Sequence, residues 1–159
     1  MRLFIALDLP AEVVRNLESF VARLKPSARI HWSPPANLHV TTKFIGEFAE
    51  NRLPELQAVL EKMPKRPPIE VTVAKVGFFP NAHSARVFWC GIEAPGLEAL
   101  AAATDTATSS VGVSKEERPY SPHLTLARIK ERVDLGSLHQ AIAAAPSLDF
   151  CLLYTSRCV

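Results

Sequence analysis

The tripeptide His-x-Thr occurs twice in this chain, each time inside a run that reads as a β-strand. The first copy is Leu38-His39-Val40-Thr41-Thr42-Lys43-Phe44-Ile45, and the second is Pro122-His123-Leu124-Thr125-Leu126-Ala127-Arg128-Ile129. A strand sends residues i and i+2 to the same face. Each copy therefore sets an imidazole beside a hydroxyl. Both copies place an aliphatic residue between His and Thr, Val40 or Leu124, and an isoleucine four positions past the Thr. A fold that satisfies this pattern must hold two similar strands, one early and one late. On the tripeptides alone, two unrelated strand histidines, each satisfied by a backbone partner, are the alternative.

The residue types carry a definite chemistry. Histidine alone has an unperturbed pKa, about 6.5, at which neutral and protonated forms coexist near neutrality. A pair can divide the work of general acid and general base. Phosphoryl transfer asks for attacking and leaving oxygens roughly in line across phosphorus. Two histidines on facing strands suit that geometry. Thr41 and Thr125 would donate hydrogen bonds to non-bridging oxygens, and a nearby cation would take up developing charge. The candidate cations are Lys43 and Arg128. Strict alternation puts Lys43 on the His39 face and Arg128 opposite the His123 face, from which a bulge or the strand end could still bring it round. Phe44, Trp32, Phe79 and Tyr120 lie near motif ends or turns and are candidates for stacking on a base, although core packing is the commoner fate of such residues. His31, His83 and His139 lack a Thr partner and read as structural or surface residues. No spacing matches a metal site, so no metal and no cofactor is inferred.

The rest of the chain reads as one domain over residues 1–159. The hydrophobic share of 48% and charged share of 21% are those of an ordinary soluble globule. The net charge of +2 does not by itself announce nucleic acid or membrane. Three cysteines, Cys90, Cys151 and Cys158, form neither a disulfide framework nor a zinc spacing, and Cys90 reads as a buried thiol. The start is too short for a signal peptide, and no apolar run reaches membrane-spanning length. A cytoplasmic monomer without membrane contact is the expectation. Periodicity predicts strands over 2–8, 29–33, 38–45, 69–76, 85–92 and 121–130, with helices opening at Pro10 and over 51–62, 95–111 and 135–145. A last strand-like segment follows. Gly46 is expected to stop the first motif strand, and Phe78-Phe79-Pro80-Asn81 to turn the chain. Strands and helices interleave twice, as in two related lobes.

His39-Val40-Thr41-Thr42 and His123-Leu124-Thr125-Leu126 resemble the paired HxTx motifs of the two-histidine (2H) phosphoesterase superfamily. Met1-Arg2-Leu3-Phe4-Ile5-Ala6-Leu7-Asp8-Leu9-Pro10 is similar to the start of its RNA 2′,3′-cyclic phosphodiesterase (2′-5′ RNA ligase-like) branch. So are Asn37-Leu38-His39 through Glu47, Arg86-Val87-Phe88-Trp89, and Tyr120 through Arg128. The resemblance runs in order along nearly the whole chain. It implies a bilobal α+β fold: two pseudo-symmetric antiparallel-sheet lobes with outer helices and a central cleft. It further implies hydrolysis of RNA 2′,3′-cyclic phosphates to 2′-phosphomonoesters, with joining of RNA ends through a 2′-5′ bond as a side activity. By carry-over His39 is the proton donor and His123 the proton acceptor, supported by Thr41 and Thr125, while Arg128, Lys43, Phe44 and Tyr120 bind substrate. The residues alone do not assign acid and base between the histidines. They also do not separate RNA ends from small cyclic nucleotides, or an enzyme from an RNA-binding α+β module. One departure is the tail, Cys151 to Val159, where the family carries a longer strand and a glycine-bearing end. This string resembles translated sequencing adapter, although a family strand can also end in a Leu-Tyr-x-Ser-like run. A truncated or substituted last strand is one expectation there.

Overall fold

A computed structural model describes residues 1–156. The strands are β1 (Arg2–Asp8), β2 (His31–Trp32), β3 (His39–Glu47), β4 (Ile69–Phe79), β5 (Val87–Glu93), β6 (His123–Arg128) and β7 (Asp149–Ser156). The helices are α1 (Ala11–Leu24), α2 (Leu53–Glu61), α3 (Leu97–Ser109) and α4 (Gly136–Ala143). The strands form two antiparallel sheets. One is the β1-β3 pair, and the other is five-stranded in the order β2-β6-β5-β4-β7. The α+β class and the two sheets agree with expectation. The sheets differ in size, and their symmetry is concentrated in the two motif strands.

Helix α1 shows why the elements form where they do. Pro10 precedes it with φ already near the helical value, and Glu12 and Arg23 complement the dipole at the two ends. Val13, Leu17, Phe20, Val21 and Leu24 are buried along one stripe. Burying each is worth roughly 1.5–3 kcal/mol. Pro26 falls in the 3-10 turn that follows, where the helix has ended.

The helices cross between lobes. Although α1 follows β1, it packs on β7 and α4 of the large sheet. The Phe20 ring lies 4.8 Å from that of Phe150, and Asn16 donates to the Phe150 carbonyl at 2.9 Å. Although α3 follows β5, it packs on β3 of the small sheet, with α2 beside it. One core cluster runs through both lobes, from Leu7 and Val40 to Phe88 and Leu126, and a satellite gathers around Phe48, Leu56 and Val113. Two sheets tied by exchanged helices and a shared core are held as one domain.

Boundaries moved in three places. Strand β3 passes through Gly46, whose φ of +76° is absorbed in a bulge opposite Leu3 and Phe4. Strand β4 continues to Phe79 before the chain turns. The terminal segment pairs with β4 through Ser156, and the part of the tail expectation that concerns 157–159 lies outside the described residues. Cys90 is fully buried, and burial pushes its thiol up to about 12. No helix among the described residues is long and apolar enough to cross a membrane.

Candidate active site

The two motif strands repeat each other residue for residue. From His39 to Phe44 the side chains run half-buried, buried, half-buried, buried, buried, exposed, and from His123 to Arg128 the same order recurs. A bulge at the same place in each copy produces it. In β3, Thr41 pairs with Ala6 and Lys43 with Ile5, so Thr42 is the extra residue. In β6, Thr125 pairs with Trp89 and Ala127 with Phe88, so Leu126 is the extra residue. One extra residue reverses the alternation beyond it. His and Thr therefore share their face with the residue three past the Thr, which is Phe44 in one strand and Arg128 in the other.

This shift corrects the placement of Lys43. Strict alternation sends it to the His39 face, whereas the bulge turns it inward against α3. Its ammonium donates to the Asp105 carboxylate and, at 2.6 Å, to the Ser114 carbonyl, and its side chain is only 4% exposed. Burial alone would raise the Asp105 carboxyl. The Lys43 hydrogen bond, the Glu116 N–H and the charges of Lys43 and Lys115 outweigh burial and hold it below the usual carboxylate range. Arg128 moves the other way. It is exposed at the end of β6, on the face of His123 and Thr125, through the bulge that alternation alone did not supply.

Each histidine is fixed at one nitrogen. His39 Nδ1 lies 2.7 Å from the Asn37 carbonyl, and His123 Nδ1 lies 2.7 Å from the Ser121 carbonyl. A carbonyl only accepts, so both Nδ1 atoms carry their hydrogen. Nε2 is the nitrogen left for chemistry in both copies. A backbone partner for each histidine was the bland alternative read from sequence. Here it sets the tautomer and leaves the reactive nitrogen free.

The strands meet at Tyr120, whose hydroxyl donates to the Thr41 carbonyl at 3.0 Å. Tyr120 thus joins the entry of β6 to the middle of β3, and burial pushes its phenol up to about 12. Of the other aromatics considered, Trp32 packs edge-on against Phe88, while Phe44 is 59% exposed.

Surroundings differ between the copies. Phe4, absent from the sequence-based candidates, stacks on the His39 ring at 4.4 Å and 14°. It lies 6.4 Å from Phe44, and both rings are largely exposed. At the second copy Phe79 meets the His123 ring edge-on at 5.3 Å. Trp89 adjoins Phe79 at 5.2 Å. The indole lies so closely across Gly77 that a Cβ there would overlap it. A cavity of about 290 Å³ opens over Trp89 and reaches His123. Strand register was the missing signal: Gly91, which has no side chain, faces His123, and Trp89 faces Thr125. Among the described residues no group of three or more His, Cys, Asp or Glu side chains is placed to hold a metal ion.

Two antiparallel sheets presenting duplicate His-x-Thr strands, each with the imidazole tied at Nδ1, define a phosphoesterase of the two-histidine class. Comparison with known proteins agrees. Residues 7–89 and 92–150 match the family described as LigT like Phosphoesterase. An RNA 2′,3′-cyclic phosphodiesterase of Methanocaldococcus jannaschii is 33% identical over 150 residues, covering 94% of this chain and 84% of that protein. The structure of TT0787 from Thermus thermophilus is similar with a TM-score of 0.80 at 28% identity, covering 98% of this chain and 84% of that one. That of Escherichia coli LigT complexed with 3′-AMP gives 0.76 at 28% identity, covering 98% and 83%. The chain belongs to the LigT-like phosphoesterase family.

Proposed function

We propose that this protein hydrolyses RNA 2′,3′-cyclic phosphate ends to 2′-phosphomonoesters, with His39 as general acid and His123 as general base and without a metal. The observation that carries the reading is the duplicated strand: the same bulge, the same burial order and the same Nδ1-to-carbonyl bond in both copies. Relatives named as RNA 2′,3′-cyclic phosphodiesterases support the substrate class. The duplicate gives two imidazoles with free Nε2 atoms, which is what an in-line displacement needs on its two sides.

The steps balance in protons and bonds. Neutral His123 Nε2 takes a proton from water as the water oxygen bonds to phosphorus. The bond from phosphorus to O3′ breaks, and protonated His39 Nε2 gives its proton to O3′. The phosphate stays on O2′. Thr41 and Thr125 stand beside the histidines on the same faces and donate to the non-bridging oxygens. Arg128, sharing the His123 face, neutralises charge on them. Phe44, exposed on the opposite strand, offers a stacking surface to the base. Lys43 keeps Asp105 as its partner and takes no part. An RNA 5′-hydroxyl in place of water would give a 2′-5′ linkage by the same transfer.

The test is an assay of the purified protein with chelator present, on an oligonucleotide ending in a 2′,3′-cyclic phosphate and on small 2′,3′-cyclic nucleotides. The expected product carries phosphate on O2′ alone. His39→Ala and His123→Ala are each expected to lose about 10²–10⁴-fold in rate. A 3′-phosphate product, or full activity in either variant, would overturn the proposal.

A further inference from the structure

We infer that the cavity over Trp89 is an acceptor subsite, which binds the nucleoside whose 5′-hydroxyl competes with water for the cyclic phosphate. The inference rests on the proposed acid and base roles and adds the location of the second substrate. In-line displacement sets the leaving O3′ and the incoming oxygen on opposite sides of phosphorus. O2′ and O3′ belong to one ribose, so the substrate nucleoside lies on the side of the acid, His39. The incoming oxygen arrives on the side of His123. Whatever occupies a pocket against His123, away from His39, is therefore placed as an attacking group.

The two sides are built accordingly. On the His39 side Phe4 lies flat on the imidazole and Phe44 extends the surface, which makes an open platform with no enclosed space. On the His123 side Gly91 faces the histidine with no side chain, and a hollow of about 290 Å³ remains. That volume is near the lower end of small-molecule pockets, about 300 Å³, and suits one nucleoside rather than a strand. Its floor is the Trp89 indole, seated on Gly77 and flanked by Phe79 at 5.2 Å. Indole Nε1 is buried with no hydrogen-bond partner among the described residues, so packing alone sets the plane of the ring. The rim carries the ion pair of Lys75 and Glu93 at 3.1 Å, both exposed. An aromatic floor with a polar rim is a site for a flat, polar-edged ring.

In the step that follows, the nucleoside 5′-oxygen bonds to phosphorus and its proton passes to His123. The bond to O3′ breaks, and O3′ takes the proton of His39. The product is a 2′-phosphodiester bearing the nucleoside at its 5′ position.

The experiment incubates the enzyme with a cyclic-phosphate-ended oligonucleotide and excess adenosine, and measures diester against 2′-monoester. Both products come from the same active molecules, so their ratio does not depend on how much of a variant folds. Wild-type protein should form the diester, and methanol at equal concentration should form far less of its ester. Trp89→Ala should lower the diester-to-monoester ratio about tenfold or more, the worth of one base stack, with Trp89→Phe intermediate. Monoester without diester in the wild type would overturn the inference and leave the hydrolase reading standing. So would a Trp89→Ala protein whose ratio is unchanged while its KM for the cyclic end rises, since the pocket would then hold the substrate's own base. Neither product in the wild type would sink the hydrolase reading and the inference together.

Discussion

Replacing Lys43 with methionine separates a structural cation from a substrate-binding one. The Lys43 side chain is 4% exposed and that of Asp105 is 19% exposed. Removing one partner of a buried pair costs about 3–5 kcal/mol, because the other charge stays buried and uncompensated. Asp105 keeps the Glu116 N–H and some contact with water, so the lower end, about 3 kcal/mol, applies. At about 2–4 °C per kcal/mol for a chain of this size, Tm should fall by about 6–12 °C. A Lys43→Met/Asp105→Leu double variant should recover most of that loss, since an apolar pair of similar volume replaces the ion pair. The pH dependence has a fixed sign. Asp105 is depressed below its ordinary 3.8, so its contribution is complete above that value and is lost as pH falls through the lower folded value. Thermal melts across pH 2–7 should therefore show the gap between wild type and Lys43→Met narrowing below about pH 4. Kinetics at low temperature should leave KM for the cyclic end nearly unchanged. A Tm within about 2 °C of wild type together with a large rise in KM would refute the structural assignment and return Lys43 to the substrate.

Tyr120→Phe removes the bond to the Thr41 carbonyl; it should cost about 1 kcal/mol and lower kcat more than it raises KM, measured by denaturant melts and steady-state kinetics. Arg128→Ala should raise KM and flatten its salt dependence without shifting Tm, because the side chain is exposed at the strand end. With Cys151 and Cys158 changed to serine, Cys90 should resist a thiol reagent until the protein unfolds. Its folded value of about 12 against an ordinary 9.0 also means that stability falls as pH rises above 9, where only the unfolded thiol ionises.

Much of the site was legible because period-two alternation is reliable over three residues. His39 and Thr41 share a face, and so do His123 and Thr125. What followed the Thr was not legible. The bulge residues are Thr42 and Leu126, and neither carries the glycine that would mark such a break. One missed residue in each strand was enough to exchange the faces of Lys43 and Phe44. Asp105 could not be assigned to Lys43 without knowing that α3 leaves the large sheet and packs on the small one. Phe4 and Trp89 reach their histidines through cross-strand register, which two bulges shift in β1-β3 and one shifts in β5-β6. The helices were read well from apolar spacing, as in α1. The extent of β3 was misjudged because Gly46 was taken as a stop when it sits within a bulge.

The central claim is that the two tied imidazoles act as one acid and one base. The most direct measurement is kcat/KM against pH for wild type, His39→Ala and His123→Ala on the same cyclic-phosphate oligonucleotide. The account predicts a bell for the wild type. His39→Ala should lose the fall on the alkaline side, which reports deprotonation of the acid, and His123→Ala should lose the fall on the acid side, which reports protonation of the base. A bell that survives in either variant, or the two limbs lost in the opposite assignment, would contradict it.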